Sequence, residues 1–540
     1  MAPRASLTVA YPLFDTQRAF EHLKKIAREC PRRVTGSPGA RCAADYIETS
    51  FRGLGLPTRT QSFPVLLRGE KVTGRNVFAV IHGTSSTPLL VVAHYDAALT
   101  SPEAAADNGS GVATLLELAR IFMEPKPRRT LILLASDAGV WGSIGTDVFA
   151  RDEAWTSLPG NGDIPPYAAL SLDHVTPGHG AGMTMRGGGR RGEFAPLWLR
   201  TRIAAGMRAV EARVFPEGPL LQLFARAMPL SFTAQGPLLK HGIAAINLSM
   251  EPADAALARA VASTEADTLA EIRPGALRLF GTAAEAAVSA VLGAGITSSP
   301  DVVTLHANKV VLRSALRILS GLLFLPLGVL VADAFLRRRP ATGALLRAAS
   351  WVLPPGLAAL AMLLAVRTQL LPGFSAYPAA LRDPFLTTWQ PLPMLGILLA
   401  ASLGVWAAVR INGGRGAGRR AAGLFLLLAA AIWAWILNDL SVAMLLAPAA
   451  WAWPWLGALP SRRGRVLDAL LLALGIAPFL ILLVAAGSYL FLGPWILWYG
   501  ALLLGYGVVT LEVAVIAGLA VSSALALLAR PAPQGQRGTG

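Results

Sequence analysis

The chain has 540 residues, 54% hydrophobic and 15% charged, with a positive mean hydropathy of +0.51. That apolar excess excludes a wholly soluble protein of this size and requires a membrane part. The formal charge of +16 would suit nucleic acid or acidic lipid, but much of the excess after residue 310 is Arg at the ends of apolar runs. Such placement is a topology signal, so nucleic acid is set aside as a partner and the lipid bilayer is kept. Only Cys30 and Cys42 occur, which excludes a disulfide framework and leaves one disulfide or two free thiols.

In chain order, "FDTQRAFEHLKKIAREC" (14–30) has apolar residues at helical spacing, with Asp15 or Thr16 as its cap. "GARCAADYIETSFRGLG" (39–55) predicts a second helix ending in Gly. "NVFAVIHG" (76–83), "PLLVVAHYD" (88–96) and "RTLILLASD" (129–137) predict strands, with an amphipathic helix over 111–123. "IAAINLS" (243–249) predicts a late strand and "DTLAEI" (267–272) a closing helix. Strands alternating with helices predict an α/β domain over residues 1–305, with a mostly parallel, mixed sheet covered on both faces.

Residues 310–530 predict an all-α transmembrane bundle. Apolar runs near 315–335, 346–366, 391–409, 421–437, 441–459, 466–487, 488–508 and 509–529 are each about long enough to span. The count is eight, or seven if the last two runs hold one span and a re-entrant piece. Residues 531–540 predict a disordered tail. Eleven Arg residues fall in the loops on one side of this bundle, against Arg367 and Arg382 on the other. The positive-inside rule therefore places the α/β domain on the non-cytoplasmic side. An exported domain needs a signal, and "MAPRASLTVAYPLFDTQ" has no adequate apolar core, so a start further upstream is expected, the alternative being a cytoplasmic domain despite the loops.

The stretch "AHYDAALTSPEAAADNGSGVATLLELAR" (93–120) carries the chemistry. His94 and Asp96 end a predicted strand and Asp107 precedes a helix, the location where parallel sheets gather ligands. Imidazole and carboxylate suit zinc, and Asp96 is placed to orient the His94 ring. A lone His-x-Asp is more often a solvated pair; the added Asp-Asn-Gly-Ser-Gly turn brings the two readings level.

This stretch resembles the core signature of the clan-MH di-zinc aminopeptidases, a group that includes endoplasmic-reticulum metallopeptidases with many membrane spans. The resemblance extends through "LILLASDAGVWGSIGTDVFA" (131–150), "LSLDHV" (170–175) and "HGIAAINLS…STEADTLAEI" (241–272). It implies a zinc-aminopeptidase-like fold and places one metal on His94, Asp107 and Asp173. The family's Glu-Glu turn, general base followed by ligand, falls on Gly139 and Val140, and its late His ligand on Ser263. The resemblance thus implies one zinc ion rather than two, Asp96 in a supporting role, and no intact general base. The expected function is a non-catalytic or mono-zinc module that binds a peptide or protein partner. The alternative is an active zinc aminopeptidase with one zinc or substitute ligands, drawn from Glu251, Glu265, His241, His174 or His179. On a strand, His174 should face away from Asp173. A basic Gly-rich loop, "RGGGRRGEF" (186–194), reads more readily as solvated than as a phosphate site.

Overall fold

Continuous apolar runs build the centre of the sheet, and their alternation decides which helices cover each face. In the computed structural model, the described residues are 12–338 apart from short stretches (68–69, 191, 228–230, 232, 255–256, 259–260, 262–263, 296–298 and 306–308). Residues 364, 418–437, 441–457, 462–489 and 511–528 are also described. The chain divides into two units, Met1–Arg313 with Gly373–Asp383, and Ser314–Pro372 with Pro384–Gly540.

In the first unit the elements run α1 (Thr16–Lys24), α2 (Pro38–Gly53), β1 (Thr58–Leu67), β2 (Glu70–Ile81), β3 (Ser85–His94), α3 (Ser110–Ile121), β4 (Arg129–Ser136) and α4 (Ile144–Arg151). They continue with β5 (Ala168–Leu172), β6 (Gly180–Arg186), α5 (Leu197–Ala209), β7 (Val214–Pro216), α6 (Pro219–Ala227), α7 (Gln235–Lys240), β8 (Ala244–Pro252) and α8 (Pro274–Leu292). Asp15 caps α1 by accepting from the Gln17 and Arg18 amides. The eight-stranded sheet has the order β1-β2-β4-β3-β5-β8-β6-β7. Its centre, β4-β3-β5-β8, is parallel; β1, β2 and β6 join antiparallel. This is the mixed, mostly parallel α/β sheet that the pattern predicts.

Along β3, Leu89, Val91 and Ala93 pack into a core shared with α1, α2, α3, α5 and α8. Leu90 and Val92 point the other way, toward Phe149 of α4 and Leu238 of α7. Period-two alternation with both faces apolar is what a parallel strand between two helical layers requires. Cys30 and Cys42 are joined in a disulfide that ties the chain just after α1 to α2.

Two predicted boundaries shift. The closing element over 267–272 is only a 3-10 turn, Leu269–Glu271, and the long helix is α8 after it. The domain also runs past 305, because the hairpin of β9 (Val302–Thr304) and β10 (Val310–Leu312) belongs to the first unit. Gln222 of α6 clasps it, accepting from the Thr304 amide and donating to the Thr304 carbonyl.

The second unit is helical where described. Helices Gly418–Leu437 and Leu511–Leu528 pack through small residues, with Ala422, Ala430, Ala434, Ser522 and Ser523 buried, the close approach favoured between helices in lipid. Among the described residues, four helices are long and apolar enough to cross a membrane: Pro274–Leu292, Arg313–Arg337, Arg420–Leu437 and Gly464–Val484. The first is α8, buried against the sheet, and is a core helix of the α/β domain. The others expose large apolar side chains such as Ile318, Leu336, Ile436, Leu470 and Ile481, which water would not tolerate in such numbers. The predicted spans at 346–366, 391–409 and 488–508 lie almost wholly outside the described residues, as does the tail.

Candidate metal centre

The carboxyl ends of β3 and β5 are adjacent in the sheet, and the site forms there. His94 is the last residue of β3, Asp173 follows the end of β5, and Asp107 lies just before α3. The structure brings these three together, with one donor atom from each lying within 4.8 Å of the others. His94 Nε2 is 3.2 Å from Asp107 Oδ1 and 3.9 Å from Asp173 Oδ1. Tetrahedral ligands at about 2.1 Å from a zinc ion stand roughly 3.4 Å apart, so this donor set and spacing fit the ion. It is the single such cluster of three among the described residues.

Asp96 is fully buried and serves three partners. Its Oδ1 meets His94 Nδ1 at 3.2 Å, which turns Nε2 toward Asp107 and Asp173. The same carboxylate accepts from the Gly139 amide at 2.7 Å and the Val140 amide at 3.1 Å. Burial alone would lower the His94 pKa, but hydrogen bonds to Asp107 and Asp96 outweigh it and hold the imidazole well above its usual range. Burial likewise opposes ionisation of Asp173, but its hydrogen bond with His174 keeps it below the usual carboxylate range.

The turn after β4 meets this site with its main chain. A Cβ added at Gly139 would lie 2.2 Å from His94 Cβ and 2.3 Å from its Cγ, so no side chain fits there. Val140 packs sideways against the apolar cluster of Phe63, Val65, Ala138, Trp141 and Val148. Ser136, paired with His94 across β3 and β4, has a buried hydroxyl with no hydrogen-bond partner among the described residues. Ser263 lies outside the described residues.

None of the substitute ligands weighed from sequence joins the cluster of His94, Asp107 and Asp173 among the described residues. His241 Nε2 is 3.2 Å from Asp147, which also meets Lys240 and Arg190. Arg190, from the basic Gly-rich loop, thereby has a structural partner. His174 does not face away from Asp173; its Nδ1 is 3.8 Å from Asp173 Oδ1. The reason is that β5 ends at Leu172, so strand alternation no longer applies.

Three supporting residues escape sequence reasoning. Asp267, fully buried, accepts from the Ala106 and Asp107 amides, and its pKa is pushed up to about 6, mainly by burial. Asn247 Nδ2 donates to Asp173 Oδ2 at 3.3 Å. Arg33 is buried beneath the loop that leads to Asp107.

The mixed, mostly parallel α/β sheet thus gathers a His-Asp-Asp cluster at the carboxyl ends of β3 and β5 and the start of α3, a donor set that could hold a metal ion. Residues 76–288 match the model of peptidase family M28, and the α/β domain is of that type. Among curated proteins it is 34% identical over 142 residues to the uncharacterized protein YfbL of Escherichia coli. It is 31% identical over 129 residues to a vacuolar membrane protease of Lachancea thermotolerans. Each match covers 23% of this chain, but only 42% and 13% of those relatives, so the chain spans under half of their length. Among solved structures, it is similar to a glutaminyl cyclase from Porphyromonas gingivalis (18% identity, TM-score 0.42) and to BSAP, a zinc aminopeptidase from Bacillus subtilis (14%, 0.42). Each match covers 52% of this chain, with 99% and 96% of those chains.

Proposed function

We propose that this chain is a multi-pass membrane member of the family whose α/β domain holds one zinc ion on His94, Asp107 and Asp173. On this reading the domain binds a peptide or protein segment without cleaving it. The turn after β4 carries the reading: Gly139 has no room for a side chain, Val140 is turned into an apolar cluster, and both amides are spent on Asp96. Neither a proton acceptor nor a second metal ligand comes from Gly139 or Val140. A bound zinc ion would supply Lewis acidity toward a carbonyl oxygen. Asp96 would hold the His94 ring, and the Asp107 and Asp173 carboxylates would complete the ligand set. Losing general-base assistance typically costs about a hundred- to ten-thousand-fold in rate, enough to separate binding from turnover.

The eleven Arg residues between apolar runs support a non-cytoplasmic α/β domain. The Cys30–Cys42 disulfide supports the same side, since such bonds persist in oxidising compartments. A second reading, an active zinc aminopeptidase, is favoured by the name of the vacuolar membrane protease relative. Aminoacyl-chromogen hydrolysis by the full chain in detergent decides between them, with His94→Ala as the blank. The binding reading expects equal rates; zinc-dependent turnover absent from His94→Ala would establish the enzyme.

A further inference from the structure

We infer that Arg33 is a positioning residue of the metal centre: its guanidinium locks the end of β3, which carries His94 and Asp96, to the segment that carries Asp107. The inference rests on the reading that His94, Asp107 and Asp173 hold a metal ion.

Arg33 is among the largest side chains with no solvent exposure, and all of its hydrogen bonds go to main-chain carbonyls. Nε donates to Tyr95 O at 2.8 Å, between His94 and Asp96. Nη1 donates to Glu103 O at 2.8 Å and Nη2 to Ala104 O at 3.0 Å, on the approach to Asp107. Nη1 also reaches Ile26 O at 2.9 Å and Cys30 O at 3.4 Å, on the chain that leaves α1. One planar fork thus joins three segments: the chain that leaves α1, the end of β3 and the approach to Asp107. The main chain adds to the clamp, since Arg33 O accepts from Ala97 N and Arg32 N donates to Pro102 O.

The approach to Asp107 needs such a clamp. Ala104 sits in the left-handed region at φ 43°, a conformation that a non-glycine residue keeps only when its surroundings over-determine it. Arg33 takes the carbonyls of residues 103 and 104, while Asp267 takes the amides of residues 106 and 107. The segment is held at both ends by opposite charges, and Asp107 is fixed between them. Burial lowers the Arg33 pKa to about 10, so the group stays cationic at neutral pH, beside the carboxylates of Asp267, Asp96, Asp107 and Glu103. A lysine would keep the charge and lose the fork.

The test is cobalt(II) titration of the full chain in detergent, read by visible absorption, for wild type, Arg33→Lys and Arg33→Gln. Glu285→Gln is the stability control, because Glu285 binds the Leu13 and Phe14 amides away from the site. Both Arg33 variants are expected to bind cobalt about 10- to 100-fold more weakly, with an altered ligand-field band, while the control keeps affinity and band. Wild-type affinity and band in both Arg33 variants would overturn the inference and leave the metal reading standing. A wild type that binds no cobalt would overturn the metal reading, and this one with it. A second reading needs no variant: the amides of residues 105–107 in wild type should exchange hydrogen as slowly as those of β3. Fast exchange there would overturn the lock.

Discussion

The two walls of the site contrast in what they present. The wall from β3, β5 and the start of α3 offers side chains, namely His94, Asp173 and Asp107. The wall from the turn after β4 offers main chain, with the Gly139 and Val140 amides bonded to Asp96. The sequence resemblance treats position 139 as a general base and position 140 as a metal ligand that have gone. The structure shows a turn packed against His94 so closely that a Cβ at 139 has no place. The lesson is that an apparent gap in a motif can be a filled contact.

The largest test of this contrast is on the side-chain wall. His94→Ala removes the only nitrogen ligand and should abolish metal binding, read by elemental analysis after gel filtration. Unchanged metal content would move the site elsewhere. Next comes Gly139→Ala, where the new Cβ must displace the His94 ring. Overpacking of this kind costs about 1–3 kcal/mol, and a drop in melting temperature together with weakened metal binding is expected. Full metal affinity in Gly139→Ala would show that the turn can retreat from His94.

Smaller still is Asp96→Asn, which keeps the shape but weakens the support of the imidazole. Outer-sphere losses of this type run to about 10- to 100-fold in affinity, measurable by competition with a chromogenic chelator. Val140→Glu should have the least effect on the metal. Its side chain departs toward Trp141 and Val148, so metal content should stay unchanged, with only about 1 kcal/mol lost from the apolar cluster. A second metal equivalent in Val140→Glu would mean that position 140 does face the site.

The strands β2, β3, β4 and β8 were legible because continuous apolar, β-branched runs bounded by turn residues mark them directly. His94 and Asp107 stood out because ligand-bearing types recur at a strand end and before a helix, whereas Asp173 came only through the resemblance to the di-zinc aminopeptidases. Arg33 and Asp267 did not, since both work by binding main-chain groups, whose position no residue spacing records. The double role of Asp96 was half visible: its nearness to His94 follows from two residues of separation, but its grip on the turn after β4 spans 43 residues. The long helix α8 was missed as an element because its Ala-rich run carries weak periodicity next to a Pro and a Gly. The orientation of His174 went astray because β5 ends one residue earlier than its apolar pattern suggests.

Zinc stoichiometry of the purified full chain, by elemental analysis against protein concentration, tests the central claim most directly. One zinc per chain, lost in His94→Ala, is the expected result. Two zinc ions per chain would contradict it, because a second ion requires ligands that the turn at Gly139 and Val140 does not provide.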